Sequence, residues 1–244
     1  MKSNDTTLGG GRRDFPATVW SLIESCGDPS APDRRERLDQ LVHLYWKPVY
    51  VFLRARHRRS IEDAKDLTQE FFCQMLEGDF LKRYVPERGR FRSFLKGALD
   101  VFLADEQRTR LALKRGGGST TVSIDVDEVE ALLADHREDD PGVAFDRIWA
   151  EEITARSLEM LKLELKRAGK THYLAVYEAY VFSEDGAGRP SYDGVARKMG
   201  LTVYDVTNYL AYIRRRLRSL ILANITDYAG DAQEARDEFK ELFA

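Results

Sequence analysis

The chain has 244 residues, 43% of them apolar and 32% charged, with a formal net charge of −3. That length and balance give one large domain or two small ones with a real core, and exclude a disordered or membrane-embedded chain. No apolar run approaches the roughly 18 residues of a membrane span, and the opening MKSNDTTLGGGRRDF has no apolar segment of the kind that directs secretion, so a cytoplasmic location is expected.

Two cysteines, Cys26 and Cys73, are too few for a disulfide framework. The four histidines (His43, His57, His136, His172) are far apart, and no CxxC or HxxxH spacing is present, so neither a metal nor another cofactor is expected. The small net charge hides a strong asymmetry. From Leu81 to Arg115 there are ten Lys/Arg against four Asp/Glu, and from Arg189 to Arg218 seven against two. Between them, from Ser123 to Glu164, thirteen acids face four bases. Two basic modules flanking an acidic connector suit a nucleic-acid partner; alternatively, the opposite blocks attract each other as solvated faces.

In chain order, residues 1–14 are polar and glycine-rich and read as a mobile lead-in. From Asp33 to Arg56 apolar residues recur at three and four (Leu38, Leu41, Val42, Tyr45, Val49, Phe52, Leu53), which predicts a helix that Pro48 kinks or splits. Ser60 followed by Asp63 resembles a capping box and opens a helix to about Glu77. A third stretch runs from Arg90 to about Lys114 with Phe91, Phe94, Leu95, Ala98, Phe102 and Leu103 on its apolar side, and Gly116–Gly118 stop it. Residues 116–142 read as a flexible acidic linker ending at Pro141-Gly142. Helical pattern resumes at Phe145, and another helix covers about Thr171 to Phe182. Strand signals are essentially absent and no repeat is found, so the expected fold class is all-α in two helical lobes.

The most specific local pattern is SYDGVARKMGLTVYDVTNYLAYIRRRL, residues 191–217. Ser191 caps a short helix carrying Val195, Ala196 and Met199; Gly200 permits a left-handed turn; Thr202 caps a second helix with Asp205 at its third position. Val203, Val206, Leu210, Ile213 and Leu217 form an apolar stripe. Tyr204, Asp205, Thr207, Asn208, Ala211, Tyr212, Arg214, Arg215 and Arg218 point outward. The Ala196, Gly200, Val206 spacing is that of a helix-turn-helix whose second helix enters the major groove. Asn208 then suits an adenine edge, Thr207 or Tyr204 thymine methyls or phosphates, and the trailing arginines phosphates. The alternative is an ordinary helical hairpin with solvated arginines.

DAKDLTQEFF (Asp63–Phe72), RGRFRSFLKGALDVFLADEQR (Arg88–Arg108) and the helix-turn-helix together resemble a bacterial extracytoplasmic-function RNA polymerase sigma factor. The resemblance covers about residues 15–225 and is nearest the group with DLTQEFF and a KRGGG stop (Lys114–Gly118) often encoded near Ser/Thr kinases. It implies a region-two lobe over 15–115, the linker 116–142, a region-four lobe over 143–225 and a tail helix over 226–244. It implies further that the protein binds the clamp and flap of core RNA polymerase and directs initiation at promoter DNA, with no catalysis of its own.

On the helix from Ser60, Glu62, Asp66 and Glu70 form an acidic stripe, with Asp63 beside them, opposite Ala64, Leu67, Phe71 and Met75. Like charges at this spacing suit a partner better than the helix itself. The resemblance assigns Asp63, Asp66, Gln69 and Glu70 to the polymerase clamp. It assigns the next stretch to the melted minus-ten element, where a single strand needs cations and rings. Arg83, Arg88, Arg90, Arg92, Lys96 and Arg108 supply the cations, and Tyr84 and Phe91 the rings. Tyr204, Asp205, Thr207, Asn208, Ala211, Tyr212, Arg214 and Arg215 fall on the minus-thirty-five reading helix.

Two positions depart from the family pattern. Lys65 stands where the family often has an acid, and Val101 where it often has Asn. Weakened acidity fits a factor that needs activating, and a kinase adding a phosphate to Thr68 would restore about −1.5 to −2 charges. Thr68 lies nearer Met75 than Asp66 on the helical wheel, which equally predicts a buried structural threonine. Other regulators open at this stage are an anti-sigma partner and the C-terminal tail, whose Phe239, Leu242 and Phe243 predict an amphipathic helix. Two other functions remain. One is a conventional helix-turn-helix repressor or activator that binds DNA without polymerase. The other, a carboxylate-based metal hydrolase on Asp63, Asp66 and Glu70, lacks an accompanying histidine, nucleophile or glycine phosphate loop.

Overall fold

The structure is a computed structural model, and it describes residues 34–56, 59–77, 80–85, 89–112, 126, 130, 140–181, 190–226 and 232–243. The expectations for residues 1–14, Arg88, Gly116–Gly118 and most of the linker fall outside the described residues. All regular structure among the described residues is helical: α1 (Arg34–Ala55), α2 (Ile61–Glu77), a short 3-10 turn (Leu81–Arg83), α3 (Phe91–Ala112), α4 (Pro141–Arg167), α5 (Thr171–Val181), α6 (Tyr192–Met199), α7 (Val203–Thr226) and α8 (Ala232–Phe243). None of these helices is long and apolar enough to cross a membrane.

One of two alternatives at Pro48 falls, and one linker boundary is corrected. Pro48 does not split α1, which continues through it. Proline cannot donate to the carbonyl four residues back, but Val49, Tyr50, Val51, Phe52 and Leu53 that follow are all buried. A helix buried on every side is held by its packing, and the missing hydrogen bond is outweighed. Pro141-Gly142 does not end a linker; it opens α4. Asp140 is the N-cap, its carboxylate accepting the Gly142 amide at 2.7 Å and the Val143 amide at 3.4 Å. Proline at the first helical position loses no hydrogen bond that the helix would have made.

The helix α4 is the spine of the fold. Its N-terminal half carries Phe145, Trp149 and Ile153 into the same core as α1, α2, α3, Ile221 and Ile225 of α7, and Ala235 of α8. Tyr45 of α1 stacks on Trp149 at 4.5 Å and meets Phe91 of α3 edge-on at 5.3 Å. Truncating Trp149 to alanine in such a site costs about 3–5 kcal/mol. The C-terminal half of α4 sets Leu161 and Leu165 against Ile213 and Leu220 of α7. The remaining core joins Val176 of α5, Val195 and Ala196 of α6, and Val206 and Leu210 of α7. Val203, expected on the apolar stripe of α7, is the first residue of that helix and is 44% exposed. A polar pair sits inside this spine: Asn224 donates to the Ser157 hydroxyl at 2.9 Å and to the Leu220 carbonyl at 3.1 Å.

Two described residues between α3 and α4 touch α1 and α2. Val126 is buried with Tyr50, Val51 and Ala64. Glu130 accepts the Tyr50 phenol and the Arg54 guanidinium at 3.0 Å. Burial, reinforced by that hydrogen bond, pushes the Tyr50 phenol well above its ordinary pKa of 10.0.

Candidate functional site

Three surfaces carry the expected functional residues. The first is α2. Ser60 and Asp63 cap it reciprocally, the Asp63 amide donating to Ser60 Oγ at 3.1 Å and the hydroxyl donating back to the Asp63 carboxylate at 2.9 Å. With that start fixed, Ala64, Leu67, Phe71 and Met75 are buried, and Glu62, Asp66 and Glu70 are exposed on the opposite face. Gln69 and Asp63 are half-buried at its margin, and Glu70 accepts Gln74 at 3.2 Å. Thr68 has no exposed surface and its hydroxyl donates to the Ala64 carbonyl at 2.7 Å. In this conformation Thr68 is a structural residue, and a kinase would reach it only with α2 displaced.

The second surface is the start of α3, and here the structure departs most from the sequence reading. Arg92, Phe91 and Tyr84 were expected to be accessible to a strand; all three are buried. Tyr84 and Phe91 pack edge-on at 5.1 Å, so neither ring face is open for stacking. Arg92 is 1% exposed and is ringed by carboxylates: Asp146 of α4 at 2.5 Å, Glu238 of α8 at 3.0 Å and Glu241 of α8 at 3.1 Å. Arg90, half-buried, pairs with Glu241 and lies 3.5 Å from Glu238. Lys96 pairs with Asp146 at 2.8 Å. Burial raises the Glu241 carboxyl, but the hydrogen bond from Arg90 and the charges of Arg92 and Arg90 outweigh it and hold the group below its ordinary pKa. Arg83 is exposed, and Arg108 is exposed beside Asp105 at 3.1 Å. The cations are present, but the cluster Arg90, Arg92 and Lys96 is already neutralised from within.

The third surface is the α6–α7 pair. Ser191 Oγ accepts the Gly194 amide at 3.0 Å and starts α6. Gly200 ends it with φ 66° and ψ 31°, and the Leu201 amide donates to the Ala196 carbonyl at 2.9 Å. This is the six-to-one bond of a Schellman turn, which requires the left-handed conformation that glycine takes without strain. Thr202 and Asp205 then cap α7 reciprocally: the Asp205 amide donates to Thr202 Oγ1 at 3.1 Å, and the Thr202 hydroxyl and amide donate to the Asp205 carboxylate at 2.6 and 3.1 Å. Those two bonds, the hydroxyl's first, hold the Asp205 carboxyl below its ordinary pKa. Asp205, expected to face outward to a ligand, is thus spent on the cap.

Beyond the cap, Tyr204, Asn208, Ala211 and Arg215 follow at four, three and four and are all exposed, Tyr204 by 75%. Thr207 is exposed, with its hydroxyl on the Val203 carbonyl at 2.8 Å. Arg214 is exposed and lies over the rings of Tyr180 and Tyr192 at 5.7 and 6.0 Å. Tyr212 is not outward: it is half-buried against Tyr173 with Lys170 over its ring at 5.0 Å. Arg216 has its fork held by Glu164 at 2.7 and 2.8 Å. Chemically this is one rigid ridge of a ring, an amide, a methyl and guanidinium groups on an otherwise well-packed helix.

The sequence reading missed the carboxylates that meet the α3 cations. Glu234, Glu238 and Glu241 recur at i, i+4 and i+7, a stripe legible in the sequence once the tail is drawn as a helix. Among the described residues no group of three or more His, Cys, Asp or Glu is placed to hold a metal ion. No family model matches the chain, and neither a curated protein nor a solved structure matches it.

Proposed function

We propose that the chain is an alternative sigma factor that binds core RNA polymerase and directs promoter-specific initiation, with no chemistry of its own. The observation that carries the reading is the ridge Tyr204, Asn208, Ala211 and Arg215, exposed behind a Schellman turn at Gly200 on a helix whose other face buries Val206, Leu210 and Ile213. Such a ridge has the donors, acceptors and apolar contacts that read base edges in a major groove, with arginines for phosphates. On this reading residues 143–225 take the minus-thirty-five element and the flap, and residues 15–115 take the clamp and the minus-ten strand. The exposed carboxylates Asp66 and Glu70 on α2 support the clamp assignment, since like charges four apart gain from an external cation rather than from each other. Arg83 and Arg108, both exposed, support contact with the melted strand.

The test is co-purification with core polymerase followed by run-off transcription on genomic fragments. A core-dependent transcript with a defined start is the expected result. A second reading, a duplex-binding repressor or activator, is favoured by the internal neutralisation of Arg90, Arg92 and Lys96, which leaves the α7 ridge as the more open surface. Binding of a duplex operator without polymerase, and no core-dependent transcript, would establish that reading instead.

A further inference from the structure

The helix α3 begins with Arg90 just before it and Arg92 and Lys96 in its first two turns, with no acidic residue in the first turn. Cations at the positive end of a helix dipole are unfavourable by themselves, so the start of α3 calls for an anion from elsewhere in the structure. The helix α8 supplies it. Glu234, Glu238 and Glu241 lie on one face over about 10 Å of helix, and each meets Arg90 or Arg92. Asp146 closes the ring from α4, pairing with Arg92 and Lys96. Beside its acidic stripe α8 buries Ala235, packs Phe239 and Leu242 against the core, and takes Arg218 over the Phe239 ring at 4.9 Å.

We propose that α8 is an internal stand-in for a nucleic-acid backbone, docked on a polyanion site formed by Arg90 and Arg92, with Lys96 held beside them by Asp146, that takes a single strand when α8 leaves. This rests on the sigma-factor reading for the source of the strand. The exchange is chemically matched. A guanidinium fork engages carboxylate and phosphate with the same geometry, and Arg92 carries two α8 carboxylates, Glu238 and Glu241, that phosphates can replace while Asp146 stays in place. The occupant is also suited to leaving: a helix of twelve residues is marginal in water, so α8 holds its shape by docking and melts on release. The closed form thus lowers the apparent affinity for a strand by the fraction of molecules that are open.

The experiment compares the full-length chain with its Glu234→Gln/Glu238→Gln/Glu241→Gln variant, each titrated with fluorescently labelled oligodeoxythymidine at low salt. The variant is expected to bind about tenfold tighter or more, as the closed population is lost; equal affinities overturn the proposal. Because the substitutions can loosen the fold, hydrogen exchange of residues 232–243 is followed in the wild-type chain with and without saturating oligonucleotide. Faster exchange with the strand bound supports displacement of α8, and unchanged exchange overturns it. Run-off transcription separates the two levels. Core-dependent transcripts with equal oligonucleotide affinities sink the α8 proposal and leave the sigma-factor reading standing. Tighter oligonucleotide binding by the variant without any core-dependent transcript sinks the sigma-factor reading and leaves α8 as a cover.

Discussion

Arg92 of α3 and Glu238 of α8 form an ion pair at 3.0 Å with both side chains sealed from solvent, 1% and 0% exposed. Desolvating two charges is costly, and the pair is set in a network in which Asp146 and Glu241 also meet the Arg92 guanidinium and Arg90 lies 3.5 Å from Glu238.

The two sides of that pair are not equivalent: without Glu238, Arg92 keeps Asp146 and Glu241, whereas without Arg92 the sealed Glu238 loses its nearest cation. Arg92→Met, which leaves Glu238 sealed with Arg90 at 3.5 Å, is expected to lose up to about 3–5 kcal/mol of unfolding free energy, measured by urea denaturation. The double substitution Arg92→Met/Glu238→Leu should recover most of it, since two apolar groups of similar volume replace the pair. Equal losses in the single and double variants would mean the cost lies in shape rather than charge.

Acid should loosen the α8 contact. Glu241 has a folded-state pKa below its ordinary 4.5, so its ion pairs contribute stability that is complete above that value. The contribution is lost as the pH falls through the depressed folded-state value. Urea-unfolding free energies measured from neutral pH down past 4.5 should fall less steeply in Glu241→Gln than in wild type over that acid range.

Gly200 holds φ 66° with no atom within 4 Å of where a Cβ would stand. Gly200→Ala therefore meets no clash, and its cost is the backbone conformation alone, about 1–2 kcal/mol. A thermal or urea midpoint reads it. A neutral or stabilising result would show that the α6–α7 turn relaxes to another geometry.

The buried Thr68 hydroxyl makes one bond, to a carbonyl inside its own helix. Thr68→Val should shift stability by less than about 1.5 kcal/mol, whereas Thr68→Glu places an unpaired carboxylate in the core and should cost more than about 3 kcal/mol. On the sigma-factor reading, Thr68→Val then transcribes as well as wild type in cells with the kinase active. Loss of kinase-dependent transcription in that variant would restore Thr68 as a switch.

On the α7 ridge, Asn208→Ala and Arg215→Ala separate two kinds of contact. Asn208→Ala should cost about 1–3 kcal/mol on the preferred duplex and relax preference at one base position. Arg215→Ala should weaken binding across sequences and reduce the slope of log affinity against log salt by about one. Fluorescence anisotropy over a salt series distinguishes them, and no change in either variant would remove the ridge from the interface.

What the sequence determined by itself is local. Apolar spacing at three and four, the Ser60–Asp63 and Thr202–Asp205 caps and the glycine at 200 are interactions within one turn of chain, and each recurs in the structure at its place. The same logic placed Ala64, Leu67, Phe71 and Met75 opposite Glu62, Asp66 and Glu70. It failed where a distant segment supplies the balance. Pro48 reads as a kink or a split, and the split is removed only once Val49 to Leu53 are buried; Arg92 reads as an open cation until α8 is folded back on it. Charge counted along a chain does not reveal which face meets which. The pairing of residues 92 and 238 is decided by how α4, α7 and α8 pack, because only burial makes a carboxylate from the far end of the sequence the nearest available partner.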